Sequence, residues 1–274
     1  MVRRSFVPLA LSLVAGCALL VDSAGLSGGM SDNESDGGGD ASVDAPALDA
    51  TAGDAGADSA FDASTTYCAG RTTALFCDDF DRTTPLAALW DSTTLPGAIG
   101  LIDSSHSRSA PSSLSLVADA STGPLANLSL HKVVTVGPSA VAFRFQFRPA
   151  RTGAGPSVVK FNYASGFGYY AYMGETINVR VGGPIPEMNI GTALISVNQW
   201  HLIEFVIEPP TMTGAGHGRL TLKVDGTVAI GPRDLDPAAN AHYTTSAAID
   251  VGIVHFPTGS WSGWIDDVEV ANVP

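Results

Sequence analysis

In the segment Val141-Ala-Phe-Arg-Phe-Gln-Phe-Arg148, period-two alternation puts Arg144, Gln146 and Arg148 on one face of an extended strand and Val141, Phe143, Phe145 and Phe147 on the other. Two guanidinium forks flanking an amide are suitable donors for neutralising a sugar carboxylate, and they equally suit a solvated strand face. A second pattern is Glu204-Phe-Val-Ile-Glu208, two carboxylates on one strand face with Val206 between them. Glycoside hydrolysis needs its acid pair about 5 to 9 Å apart. Four residues along a strand separate these by roughly 13 Å, so they are expected to be rim charges and no catalytic residue is assigned. The aromatic residues Tyr163, Phe167, Tyr169, Tyr170 and Tyr172 gather in "FNYASGFGYYAYMG", and Trp261 sits in a Gly/Ser stretch. Such rings either stack on sugar faces or fill a core. The six histidines show no metal-ligand spacing.

These groups need a scaffold, and the pattern of the chain from residue 67 to 274 is that of strands. Short runs alternate with period two between Gly, Pro, Asn and Asp, as in "SSLSLVA", "ANLSLHKVVTV", "SVVKFNYA", "TINVRVGG", "WHLIEFVIEP" and "AAIDVGIVHF". "RLTLKVDGTVAI" aligns Leu220, Leu222 and Val224 and then turns at Asp225-Gly226, a hairpin signal. About a dozen strands without long helical periodicity predict an all-β fold, two antiparallel sheets packed as a jelly-roll sandwich. In "WIDDVEV" the phase places Asp266 with Trp264, Val268 and Val270, and Asp78 falls in phase with Phe76 and Phe80. An inward carboxylate requires a partner, because an unpaired buried charge costs several kcal/mol.

The front of the chain is different. Arg3 and Arg4 precede an apolar run from Phe6 to Ala15, too short to span a bilayer and suited to a signal peptide covering residues 1–16. Val14-Ala15-Gly16-Cys17 resembles the bacterial lipobox, which implies diacylglycerol on the Cys17 thiol and cleavage before it. Residues 17–66 hold ten acidic and no basic residues in an Asp/Ala/Gly/Ser sequence, which predicts a disordered acidic linker. The formal charge of −13 is therefore mostly a property of this segment. Residues 67–274 carry 17 acidic and 12 basic residues, with no basic patch that would suit nucleic acid. Cys68 and Cys77 lie in a chain expected to be exported, and a local disulfide is their expected state.

"FCDDFDR", Trp90, "SAPSSLSL", "QWHLIEFVIE", "LTLKVDG" and "WSGWIDDVEV", in this order, resemble the concanavalin A-like lectin/glucanase superfamily, including laminin G-like and family 16 glycosidase sandwiches. With lipobox and acidic linker the chain resembles myxobacterial-type lipoproteins. The resemblance implies a lipid anchor in the outer membrane and a glycan partner. Family 16 carries E-x-D-x-E or E-x-D-x-x-E on one strand, which is absent here. The Asp of that family's closing strand resembles a structural calcium ligand, which implies Ca²⁺ at Asp266, with Asp78 as a second candidate; backbone capping or a salt bridge to an Arg is the competing arrangement. Arg144-Phe-Gln-Phe-Arg148 is similar to the R-x-E-x-R strand of family 7 alginate lyases, but "QWH" at 199–201 and "GYYAYMG" depart from that family's other two motifs. The expectation is a membrane-anchored, non-catalytic carbohydrate-binding protein. A polysaccharide-degrading enzyme and a structural envelope module are the alternatives. The glycan-binding candidates are Arg144, Gln146, Arg148, Tyr163, Tyr169, Tyr170, Tyr172 and Trp261.

Overall fold

A computed structural model describes residues 67–83, 85–94, 99–118, 128–152, 155–213, 216–255 and 260–273. The signal peptide, Cys17 and the linker lie outside the described residues. Fifteen strands are described: β1 (Ala74–Asp78), β2 (Ser92–Thr94), β3 (Ile99–Asp103), β4 (Ser113–Ala118), β5 (Leu128–Thr135), β6 (Ala140–Pro149), β7 (Ser157–Tyr163), β8 (Gly168–Met173), β9 (Thr176–Gly182), β10 (Met188–Leu194), β11 (His201–Glu208), β12 (Arg219–Val224), β13 (Thr227–Asp234), β14 (Ser246–His255) and β15 (Trp261–Val273). They form an eight-stranded sheet in the order β13-β12-β11-β6-β15-β4-β3, with β1 also on β15, and a seven-stranded sheet in the order β10-β9-β8-β7-β14-β5-β2. All pairings are antiparallel. The fold is the expected all-β jelly-roll sandwich of two antiparallel sheets.

The alternation read in "VAFRFQFRP" is what builds the core. Phe143, Phe145 and Phe147 are each no more than 1% exposed. Phe143 and Phe145 stack on Phe205 of β11, with ring centroids 6.2 and 6.3 Å apart, and Phe143 meets Phe161 of the opposite sheet at 6.4 Å. Each such buried ring contributes roughly 2 to 3 kcal/mol of transfer free energy. The hairpin at Asp225-Gly226 forms between β12 and β13, with φ of 51° and 77° at the two turn residues; Asn-Gly and Asp-Gly favour such primed turns because both residues must adopt the left-handed region.

The phase read in the last strand needs correction. Asp266 does share the outer face of the eight-stranded sheet with Trp264, though buried there, but Val268 and Val270 do not. The register shifts between Asp266 and Glu269, where Asp267 takes φ 52°, so a β-bulge exchanges the two faces midway along β15. Ile265, Val268 and Val270 all enter the core as a result. The disulfide Cys68–Cys77 is present, joining the 3-10 turn Tyr67–Gly70 to β1. No helix among the described residues is long and apolar enough to cross a membrane.

Candidate functional site

The residues singled out from the sequence separate into three places. Tyr163, Tyr169 and Trp261 belong to the core, which corrects their expected role as exposed rings. Tyr163 and Tyr169 are 4% and 2% exposed, and their rings join Phe167 and Tyr243 in an aromatic corner closed by a 2.9 Å bond between the Tyr169 and Tyr243 hydroxyls. Trp261 is the first residue of β15 and stacks on Phe147 at 6.2 Å. Period two decides the matter: neighbours on one strand face opposite ways, so Tyr169 enters the core while Tyr170 leaves it.

Arg144, Gln146 and Arg148 lie on the solvent side of the eight-stranded sheet. Cross-strand register sets Lys223, Glu204, Arg144 and Glu269 in one row over β12, β11, β6 and β15. Arg144 Nε donates to Glu204, its Nη1 reaches Glu269 at 3.5 Å, and Lys223 Nζ donates to Glu204 at 2.6 Å. Burial pushes the Glu204 carboxyl up, and the hydrogen bonds from Arg144 and Lys223 more than offset it, leaving it below the usual carboxylate range. The Tyr67 hydroxyl donates to Glu269 at 2.8 Å from above, and that carboxylate is 3% exposed. Glu204 and Glu269 therefore flank an arginine under a cover and do not form an open acid pair. Gln146 stands opposite Leu202 and Asp266, and the Arg148 guanidinium lies 5.3 Å from the Trp264 ring centroid.

The seven-stranded sheet presents the more open array. Arg180 of β9, Tyr170 of β8, Lys160 of β7, Asp250 of β14 and His131 of β5 are successive cross-strand partners, and they form one rung over five adjacent strands. Tyr172 stands opposite Asn178 in the next row. Lys160 Nζ lies 4.9 Å from the Tyr170 centroid and the Arg180 guanidinium 4.8 Å from that of Tyr172. Arg180 Nη1 also donates to Glu187 at 2.6 Å. Asp250 accepts from Ser129 Oγ at 3.2 Å and Asn162 Nδ2 at 3.3 Å, and pairs with His131 Nδ1 at 2.8 Å. An ionised carboxylate only accepts, so the network assigns the proton to His131 Nδ1 and leaves Nε2 as the basic nitrogen. A Cβ at position 168 would lie 2.0 Å from Asn162 Oδ1, and Gly168 is what lets the Asn162 amide lie across β8.

Lys160, Arg180, Asn162, Asn178, Asp250 and His131 are not among the residues expected from the sequence. Each is the polar alternate of its strand, visible in "VKFNYA", "INVRV", "AAIDVG" and "LSLHK". What assembles them is inter-strand register, which one strand's sequence does not carry. Between the sheets, the gap lined by Phe143, Val159, Phe161, Tyr169, Ala171, Phe205 and Ile207 has no room for a water-sized molecule.

A second polar cluster gathers at the bulge of β15. Asp266 is fully buried and accepts backbone N–H bonds from Arg108 at 2.8 Å, Ser109 at 3.2 Å and Asp267 at 2.9 Å. Burial, and then the neighbouring Asp267 charge, raise its carboxyl well above the usual range. Burial raises Asp267 too, and the charges of Asp79 and Asp81 add to that rise. Asp78 accepts from Phe80 N at 3.0 Å, Trp90 Nε1 at 2.6 Å and Arg82 Nη2 at 2.6 Å. These donors are N–H groups, the backbone-capping and Arg-pairing arrangement that competes with calcium ligation at Asp78 and Asp266. Among the described residues no group of three or more His, Cys, Asp or Glu is arranged to hold a metal ion.

Comparison with known proteins gives a fold and no family. No family model matches the chain, and no curated protein does. The cellulose-induced protein Cip1 superposes with a TM-score of 0.52 at 13% identity, over 72% of this chain and 97% of its own. An endo-β-1,4-glucuronan lyase from the fungus Trichoderma reesei reaches 0.49 at 15% identity, over 73% and 96%. A carbohydrate esterase from the Shiga toxin-encoding bacteriophage phi24B reaches 0.49 at 16%, over 73% and 99%. At these identities the likeness is one of fold.

Proposed function

We propose that this chain is a lipid-anchored protein of the bacterial outer membrane whose sandwich domain binds a polysaccharide without cleaving it. The observation that carries the reading is the rung of Arg180, Tyr170, Lys160, Asp250 and His131 on the solvent side of the seven-stranded sheet. Strands lie roughly 5 Å apart, close to the length of one sugar ring, so a linear glycan laid across them meets a polar group at each step. Tyr170 and Tyr172 supply amphipathic rings, and Asn178 and Arg180 supply directional donors. The resemblance of Val14-Ala15-Gly16-Cys17 to a lipobox supports the anchor, and the acidic composition of residues 17–66 supports a soluble spacer between anchor and domain. The test is affinity electrophoresis of the purified protein through gels containing individual polysaccharides. Retardation is expected in at least one, with no new reducing ends or unsaturated sugars formed. Unretarded migration in every gel refutes the reading.

The His131–Asp250 pair favours a second reading, a polysaccharide-degrading enzyme on the same face. A carboxylate that fixes an imidazole tautomer leaves Nε2 able to accept a proton, the requirement for a general base. Product release from a polysaccharide, abolished by His131→Gln, is the result that would establish it.

A further inference from the structure

We infer that the ligand of the seven-stranded face is an anionic polysaccharide whose carboxylate or sulfate groups meet Lys160. The inference rests on the glycan reading above and narrows it. Lys160 is the central member of the five-residue rung, with its ammonium held 4.9 Å from the Tyr170 ring centroid. No carboxylate among the described residues pairs with it. Asp250 stands directly opposite on β14, but its oxygens are already engaged by His131, Ser129 and Asn162. Arg180, the other cation of the rung, has Glu187 as its counter-ion.

Lys160 is half-buried, so part of its hydration is already lost before any ligand arrives. Stacking on Tyr170 fixes the ammonium in place, and its N–H donors remain available to a ligand. A neutral glycan docked over it would remove more water and return no charge. A carboxylate or sulfate would supply the missing acceptor in a charge-assisted hydrogen bond, the stronger class. The face therefore discriminates by the charge of the ligand as well as by its shape.

The experiment is affinity electrophoresis of the full chain in mild detergent, through gels containing a neutral β-glucan, a polyuronate or a sulfated galactan. Retardation is expected in an acidic gel only, and which acidic gel retards the protein separates carboxylate from sulfate. Lys160→Met should weaken that binding about tenfold, as expected for loss of one charge-assisted bond, while Lys160→Arg retains it. Added salt should weaken binding of the parent more than that of Lys160→Met. A circular dichroism melt of Lys160→Met matching the parent shows that the fold is kept. Neutral glucan binding as tightly as the acidic polymers, with Lys160→Met unchanged, overturns the anionic preference and leaves the glycan reading intact. Migration unretarded in all gels overturns both.

Discussion

Arg144→Met tests whether the row on the eight-stranded sheet holds the fold together or waits for a ligand. In the folded protein Arg144 is one-quarter exposed, and it bridges Glu204 at 13% and Glu269 at 4% side-chain exposure. Removing one partner of a fully buried pair costs about 3 to 5 kcal/mol, because a desolvated charge is left behind. Two features reduce that figure here: Glu204 keeps Lys223 at 2.6 Å, and Glu269 keeps the Tyr67 hydroxyl at 2.8 Å. The net cost is then about 2 kcal/mol. In a domain of about 200 residues this lowers the melting temperature by roughly 4 to 8 °C. Glu204→Gln introduced into Arg144→Met removes one of the two carboxylates that lost Arg144 and should recover part of the loss, a coupling of about 1 kcal/mol in the double-mutant cycle. Thermal melts followed by circular dichroism read both quantities. A melt within about 1 °C of the parent refutes the reasoning. So does a loss of polysaccharide retention with melting unchanged, which would return Arg144 to the ligand surface.

Tyr170→Ala should weaken polysaccharide binding about tenfold with little change in stability, whereas Tyr169→Ala should cost about 3 kcal/mol of stability by opening a cavity in the aromatic corner; paired binding and melting measurements check the contrast. Replacing both Cys68 and Cys77 by Ala should lower stability by roughly 2 to 3 kcal/mol through the freed unfolded chain, read in a urea titration. Asp266 and Asp267 have folded-state values raised above their unfolded ones, so the folded state holds more protons once the pH exceeds about 4. Their favourable contribution is full below that pH and is lost as the pH rises through the raised values, so melting temperature should fall from pH 5 toward pH 8. A flat profile refutes this, and a slope abolished by millimolar calcium would support the cation reading at this cluster. Cys17→Ser should move the protein from the membrane fraction to the soluble fraction, measured by detergent partitioning; unchanged partitioning refutes the anchor.

What could be read before the structure was what a single strand states about itself. The alternation in "VAFRFQFRP" gave the core phenylalanines, and Asp225-Gly226 gave a turn, because both signals are local. Alternation also assigned Asp266 correctly to the Trp264 side and then misplaced Val268 and Val270, since a bulge inserts one residue of phase without marking the sequence. Trp261 lay among Gly and Ser and read as a loop ring, yet it packs on Phe147. The candidate face was the least legible part. Tyr170 and Lys160 are ten residues apart, and His131 and Asp250 are more than a hundred apart. They meet only through the register of five strands, which hydrophobic pattern constrains one strand at a time.

The Cys68–Cys77 bond has a mechanical consequence. β1 pairs with the C-terminal half of β15, from Ala74 opposite Ala271 to Asp78 opposite Val268. Tension arriving along the chain ahead of Tyr67 reaches the sulfur bridge first and passes through it to Cys77. The eight residues between the two cysteines, including most of β1, are therefore spared the load. Peeling of the first strand from its open end is blocked covalently, and a pull on the sandwich falls instead where Cys77 and Asp78 pair with Glu269 and Val268 of β15.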